Sequence, residues 1–348
     1  MRGNSSIKSA GNSDRTGRLP NGLQRHLFVM DPLDSLHLAL DTSLRLAREL
    51  QKAGAEIFVT TINKMGWTSG RSSAHAFCAP LTFPEVASAP GAEGSMQFSS
   101  GSYGKVSLAD FSGIHMRKDP PFDLEYVSAT WLLESAAGKS KIYNDPAALR
   151  SINEKLAIFS FPEAAAAALV SADPEELLQF IEAECSGDAV IKPLLLFGGR
   201  GVFRLELAKT SREKALTLLT AETANSTTVR LAQPFNKAIF DGEVRAFALA
   251  GKPLAWCLKK PAPGNFLANT RAGAVLAAHQ PTAQEVAVVS DVASRLYSAG
   301  VVLVGFDLIG GVLSEVNITS PRLLQAPTDT HNYYESMANW IFEDCRSR

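Results

Sequence analysis

The 348-residue chain has little that would tie it to a membrane, a disulfide framework or a polyanion. Its four cysteines, Cys78, Cys185, Cys257 and Cys345, are widely spaced with no CxxC pair, which excludes a zinc site built on thiolate pairs and a stapled secreted scaffold. No apolar run approaches the roughly 20 residues that cross a bilayer. The formal net charge of -1 supplies no field that would draw nucleic acid or anionic lipid. Small-molecule partners and a reducing cytoplasm are therefore expected. What is present is a 46% hydrophobic and 20% charged composition, that of a globular protein long enough for two or three domains.

Residues 1–25 are polar, rich in Ser, Gly, Asn and Arg, and carry neither an amphipathic stripe nor a secretory apolar core, so a disordered extension is expected. Folded sequence begins at residues 26–30 (HLFVM), a buried-strand pattern. Leu44, Leu46, Ala47 and Leu50 then recur at helical spacing before Gly54, and residues 56–62 (EIFVTTI) read as a second strand. This βαβ order predicts a mostly parallel sheet in an N-terminal α/β domain spanning 26–150. Residues 66–107 are rich in Gly, Ser, Ala and Pro and predict loops with short strands. At 113–134 a strand ends in Arg117, Lys118 and Asp119, the pair Pro120-Pro121 forces an extended turn, and a helix starts near Asp123. Two cations and a carboxylate at a strand's C-terminal end suit an acidic or zwitterionic ligand. A solvated charged loop has the same spacing.

A capped helix is expected over 144–156, with Asn144 or Asp145 as N-cap, Pro146 at the first position and Lys155 near the end. A central subdomain is then expected over 151–235: a helix from Asp173 to Glu184, a strand at 188–193 carrying Lys192, and a glycine-rich turn, Gly198, Gly199, Arg200 and Gly201, feeding another strand. That turn lies between strands, so it is neither a Walker A nor a dinucleotide loop, both of which open a helix. It can still fold over a phosphate chain and offer backbone N–H groups. A C-terminal subdomain, 236–348, continues with a turn at 241–245, a basic Gly/Pro/Asn-rich loop at 259–273 and a helix over 285–299.

Residues 301–321, VVLVGFDLIGGVLSEVNITSP, complete the pattern. Two β-branched runs flank Gly310-Gly311, which predicts a hairpin that brings together Asp307, Glu315 and Asn317. Two carboxylates and an amide suit a hard cation such as Mg²⁺, which is usually shared with substrate phosphates. An ordinary hairpin with polar residues on its solvent face has the same sequence.

The motifs MRKDPPFD at 116–123, SINEKL at 151–156, KPL and GGRGVFR between 192 and 204, and VGFDLIGGVLSEVNITSP at 304–321 occur in one order. In this the chain resembles the bacterial glutathione synthetases, ATP-grasp carboxylate–amine ligases, over roughly residues 27–321. The resemblance implies an α/β ATP-grasp fold behind the N-terminal domain. It implies γ-glutamylcysteine, glycine and ATP as substrates, Mg²⁺ or in its place Mn²⁺ as cofactor, and a homo-oligomer of the kind the family's members often form. Lys155 and Lys192 would meet the phosphates under the loop Gly198, Gly199, Arg200 and Gly201. Gln233, Pro234, Phe235 and Asn236 would hold the adenine, with Asp241 or Glu243 near the ribose. Asp307, Glu315 and Asn317 would bind the metal, and Arg245 would stabilise an oxyanion. Arg117, Lys118, Asp119, Asn269 and Ser320 would contact substrate.

The chain departs from the family pattern mainly in its loops. Leu195-Leu196-Phe197 stands where the family reads Asp-Gly-Met, and Lys259-Lys260-Pro261 where it reads ARIP. Leu267-Ala268-Asn269 replaces an RGN triplet and Gly273-Ala274-Val275 a GGR run, so two arginines are missing. Arg271 and Lys260 are the candidate catalytic substitutes, and Arg322 stands where a small polar residue is usual. A ligase with another amine acceptor and a nucleotide-binding module without catalysis are the alternative readings.

Overall fold

The computed structural model describes residues 23–36, 41–84 and 97–347; most of the expected N-terminal extension and part of the 66–107 stretch lie outside them. In the first sheet, Arg25–Val29 runs parallel to Glu56–Thr60 on one side and to Gly113–Met116 on the other, and Lys141–Tyr143 continues the parallel order. The helix Thr42–Lys52 makes the crossover. Asp41 caps it by accepting from the Leu44 N–H, and Leu44, Leu46, Ala47 and Leu50 turn into the core as their spacing predicts. The weakly patterned stretch holds an eight-residue strand, His75–Thr82, antiparallel to Glu56–Thr60. Its alanines, cysteine and proline carry little β-propensity, so only tertiary pairing reveals it.

A second sheet is antiparallel in the order Phe203–Glu206, Asp188–Pro193, Arg230–Pro234, Leu169–Ser171. With the helices Pro174–Ala183 and Arg212–Glu222 it closes its own core, centred on Leu177, Ile181, Ile191 and Leu219. The third sheet is antiparallel in the order Val275–Ala278, Lys252–Lys260, Glu243–Leu249, Leu303–Ile309, Val312–Asn317, with the helix Ala283–Ser298 against it. First and third sheets share a core that runs from Leu27 and Ile114 to Val304 and Phe306. Asn144 joins them: its Nδ2 donates to the carbonyls of Leu303 and Ile318, each at 2.8 Å, and its Oδ1 accepts from Val302 and Leu303 N–H.

Two expectations change. The helix expected over 144–156 is only Pro146–Ser151, capped by Asp145, because Asn144 is spent on the third sheet and Asn153 folds the next turn by accepting from Lys155 and Leu156 N–H. The end of the chain, assigned with the rest of 236–348 to the C-terminal subdomain, forms a helix that was not expected, Tyr333–Arg346, which packs on Thr42–Lys52 and pairs Asp344 with Lys141 at 2.9 Å, so it covers the first sheet.

His26 and His115 are fully buried between these layers. His26 Nδ1 lies 3.0 Å from His115 Nε2, and its Nε2 lies 2.9 Å from Gln24 Oε1. With both rings held neutral by burial, His26 donates to Gln24 and accepts from His115. Burial pushes His26 down to about 3 and His115 well below its ordinary value. A depressed folded-state value means stability that is complete above the unfolded value, about 6.5, and declines as pH falls from there toward 3, by about 1.4 kcal/mol per pH unit for each ring. Urea midpoints measured across this range should show a shallower decline in His115→Phe than in wild type. Equal slopes would show that the pair does not resist protonation.

Candidate active site

The third sheet builds one wall of a cleft. Gly310 and Gly311, with φ of 59° and 77°, make the two-residue turn that positive φ favours, and the register it sets places Asp307 opposite Glu315 and Gly305 opposite Asn317. The next strands place Arg245 beside Asp307 and Lys259 beside Glu243. Because side chains alternate along a strand, these six project from one face. Gly305 leaves the space that Arg245 fills: a Cβ there would lie 2.7 Å from Arg245 Nη1.

Charge on this wall is tightly shared. Lys259 Nζ binds Asp307 Oδ1 at 2.6 Å and also pairs with Glu243. Asp307 Oδ2 accepts from Asn317 Nδ2 at 3.1 Å and faces Arg245 Nη1 at 3.4 Å. Burial opposes ionisation of Asp307, but Arg245 and Lys259 outweigh it and hold the carboxyl well below the carboxylate range. Burial pushes Glu243 up to about 7, the Asp307 charge adding to the rise and Lys259 countering it. Burial likewise opposes the Lys259 charge, and Asp307 with Glu243 reverses that, leaving the ammonium above its usual value. Arg245 lines the cleft, and its buried Nε and Nη1 have no hydrogen-bond acceptor in the protein.

The second sheet builds the opposite wall. Lys192 Nζ donates to Gln233 Oε1 at 2.8 Å and to Ser314 Oγ at 3.2 Å; burial lowers its pKa against the pull of Glu315 and Glu243. Lys155 Nζ donates to the Leu196 carbonyl at 2.6 Å and lies 3.3 Å from Glu315 Oε1. Phe235 is held flat by the Arg204 guanidinium, 3.7 Å from its ring centroid, and Arg204 is itself fixed by a bidentate pair with Asp188. With Val190, Ile239 and Leu313 this makes an apolar slot floored by Gln233, Pro234 and Asn236. The loop bearing Gly198 and Gly199 closes over the slot, and their α-carbons face Asn269 and Leu267 of the 261–274 loop. Phe197 lies under Arg200 and Arg271, whose guanidinium carbons are 5.0 and 5.9 Å from its centroid.

A second compartment opens from the first, sharing Phe197, Gly198, Arg245, Lys259, Asn269 and Asn317 with it. Its far wall carries Asp119, Ser320, Arg322 and Arg271. Glu154, also on this wall, accepts from the N–H groups of Ile318 and Thr319 and from the Thr319 hydroxyl, fixing the chain as it leaves the last strand.

Most residues singled out from the sequence meet in these two compartments: Lys155, Lys192, Gly198, Gly199, Gln233, Pro234, Phe235, Asn236, Glu243, Arg245, Asp307, Glu315 and Asn317 in the first, and Asp119, Asn269, Arg271 and Ser320 in the second. Others stand elsewhere. Lys260 is exposed on the outward face, because residues 259 and 260 belong to a strand and alternate; Lys259 is the cation in the cleft. Arg200 and Gly201 lie on the outer side of the glycine loop, and Asp241 is exposed at the C-cap of the 3₁₀ turn Lys237–Phe240. Arg117 is buried and structural, donating to Ser43 Oγ and the Pro321 carbonyl, while Lys118 pairs with Asp31 at 2.9 Å. The inward role of Lys259 was readable from Ala255 and Cys257, buried at the same parity; Glu154 lies in the SINEKL motif but was not singled out from it.

Two family models match: the prokaryotic glutathione synthetase N-terminal domain over residues 25–150 and the ATP-grasp domain of the same enzymes over 154–330. The chain belongs to the prokaryotic glutathione synthetase family. It is 32% identical over 304 residues to the glutathione synthetase of Nitrosomonas europaea, covering 87% of this chain and 92% of that protein. It is 34% identical over 306 residues to that of Ralstonia nicotianae, covering 87% and 90%. Among solved structures, D-cycloserine synthetase aligns with a TM-score of 0.62 at 14% identity, over 92% of this chain and 99% of that one. A RimK domain protein of Sphaerobacter thermophilus aligns at 0.56 and 14%, over 91% and 98%. These two likenesses establish the ATP-grasp fold. Glutathione synthetases of this fold use ATP and a divalent metal ion.

The donor set fits such an ion. Asp307, Glu315 and the Asn317 amide oxygen are hard ligands on one wall, and among the described residues no three His, Cys, Asp or Glu side chains enclose an ion by themselves. Such a site leaves positions for phosphate oxygens and water, as Mg²⁺ demands. Lys259→Met should cut kcat/KM about 100-fold or more by leaving Asp307 and Glu243 buried without their shared ammonium, whereas Lys260→Met should stay within about twofold. Steady-state kinetics on both decides which lysine serves the site; the reverse ranking would restore Lys260.

Proposed function

We propose that this protein joins γ-glutamylcysteine to glycine at the expense of ATP, forming glutathione, ADP and phosphate. The observation that carries the reading is the pair of communicating compartments with Arg245, Lys259 and Asn317 at their junction. One compartment suits a nucleotide and the other a peptide. The division into an N-terminal substrate domain over 26–150, a central lobe over 151–235 and a C-terminal lobe from 236 follows the same logic, each wall of the cleft coming from a different lobe.

Adenine fits the slot over Phe235, where the strand end at Gln233 to Asn236 offers backbone donors and acceptors, and Glu243 lies toward the ribose and phosphates. Lys155 and Lys192 come from the opposite wall as point charges for the phosphate chain, with Gly198 and Gly199 able to approach it closely for want of side chains. Mg²⁺ at Asp307, Glu315 and Asn317 would neutralise charge on the phosphates. The C-terminal carboxylate of γ-glutamylcysteine accepts the γ-phosphoryl group, since a free carboxylate resists amine attack and an acyl phosphate does not. Glycine's amine then attacks, and phosphate leaves. Arg245 serves this step: it lines both compartments, so its guanidinium charge stands at the junction, where negative charge develops on the carbonyl oxygen. The meeting of the 195–199 and 261–274 loops excludes the water that would hydrolyse the acyl phosphate.

Phosphate release from ATP should require both γ-glutamylcysteine and glycine, should yield glutathione in equal amount, and should vanish with EDTA and return with Mg²⁺. Arg245→Ala should lower kcat by about 100-fold or more with little change in the KM for ATP. ATP-dependent turnover with no glutathione product would refute the assignment.

A further inference from the structure

The second compartment carries one charged pair that the mechanism above does not use. Asp119 and Arg322 face each other across its far wall, Arg322 Nη2 to Asp119 Oδ2 at 3.4 Å, with side chains 36% and 40% exposed. Of the other charges there, Lys259, Arg245 and Glu154 are committed, and exposed Arg271 only approaches a ring. Lys259 and Arg245 serve Asp307, Glu154 is filled by Ile318 and Thr319, and Arg271 leans on Phe197.

The backbones of the pair are held firmly while the ion pair itself is long and open. Asp119 N–H donates to Asp31 Oδ2 at 2.9 Å, and Asp31 is anchored by Lys118. On the other side, the Pro321 carbonyl accepts from Arg117, Ser320 Oγ donates to the Arg117 carbonyl, and Leu323 N–H donates to Thr42 Oγ1. Buried Arg117 thus fixes the chain on both sides of the gap, binding one segment and belonging to the other. An exposed pair at this distance adds little to stability. It presents one anion and one cation, side by side, on the wall of a binding compartment.

We propose that Asp119 and Arg322 form a clamp for the zwitterionic head of the peptide donor, Arg322 taking the free α-carboxylate and Asp119 the α-ammonium of the γ-glutamyl group. The inference rests on the glutathione-forming reading. In a γ-linked dipeptide the glutamyl α-carbon keeps both charges and lies at the opposite end from the carboxylate that is activated at the junction. Asp119 and Arg322 line the second compartment and not the first. Planar guanidinium geometry matches a carboxylate in bidentate fashion, so Arg322 supplies a carboxylate-binding charge from the 320–324 segment, in addition to the one loop arginine, Arg271, that lines the same compartment.

The test measures the KM of the donor in wild type, Arg322→Ala, Arg322→Lys and Asp119→Asn, using γ-glutamylcysteine, 4-aminobutyryl-cysteine without the α-carboxylate, and glutaryl-cysteine without the α-ammonium. Arg322→Ala should raise the KM for γ-glutamylcysteine by about 10- to 100-fold, the size of a lost charge-assisted contact, and for 4-aminobutyryl-cysteine by less than about twofold. Asp119→Asn should spare glutaryl-cysteine in the same way. Arg322→Lys should recover part of the loss, the KM for ATP should not move, and thermal midpoints should match wild type. An equal penalty on all three donors, or none on γ-glutamylcysteine, overturns the clamp. A wild-type enzyme that does not consume γ-glutamylcysteine overturns the functional reading beneath it instead.

Discussion

The site depends on one ammonium group. Lys259 reaches both Asp307 and Glu243 on a wall almost closed to solvent. Without it two carboxylates would face each other in a low dielectric, and each would protonate or turn away. With it, Asp307 stays ionised and aligned for a cation, and Glu243 remains poised close to neutrality. Arg245 is then held near Asp307 without spending its hydrogen-bond donors. The ionisation of Asp307 and the placing of Arg245 beside it therefore share one cause, the inward face of a strand end that also carries Lys260 outward.

Architecture keeps the two chemistries apart and lets them meet. The second sheet has a core of its own, while the first and third share theirs and are joined through Asn144. The first compartment thus lies between one body and a wall of another, and the second is built where the first sheet abuts the third. Substitutions in the loops alter the lid more than the walls. Leu195 and Leu196 replace an acid and a hinge glycine with apolar bulk, and the Leu196 carbonyl still receives Lys155. Arg271 reinforces the lid by stacking toward Phe197.

Much of this was legible in particular residues. The Gly310-Gly311 turn between β-branched runs sufficed to bring Asp307, Glu315 and Asn317 together, because a two-residue hairpin permits few registers. Lys192 and Gln233 lie on strands that alternation orients toward the cleft, and here they hydrogen-bond. Arg117 misled the reading, since a cation beside Asp119 in a polar turn resembles a binding residue until its buried bonds to Ser43 and Pro321 are known. Lys260 misled it for a subtler reason: the composition of 259–273 reads as loop from its first residue, whereas the strand Lys252–Lys260 continues to the second lysine and reverses their roles.

By itself the sequence determined the opening βαβ unit, the strands on either side of the glycine-rich turn and the hairpin that gathers Asp307, Glu315 and Asn317, because these follow from local patterns of apolar periodicity and turn residues. Only the tertiary structure decided which lysine faces inward, that Arg117 is an anchor, that the last helix covers the first sheet, and that Asp119 meets Arg322 across 203 positions of chain. Those are questions of burial and of distance through space, and neither is written in the spacing of residues along one segment.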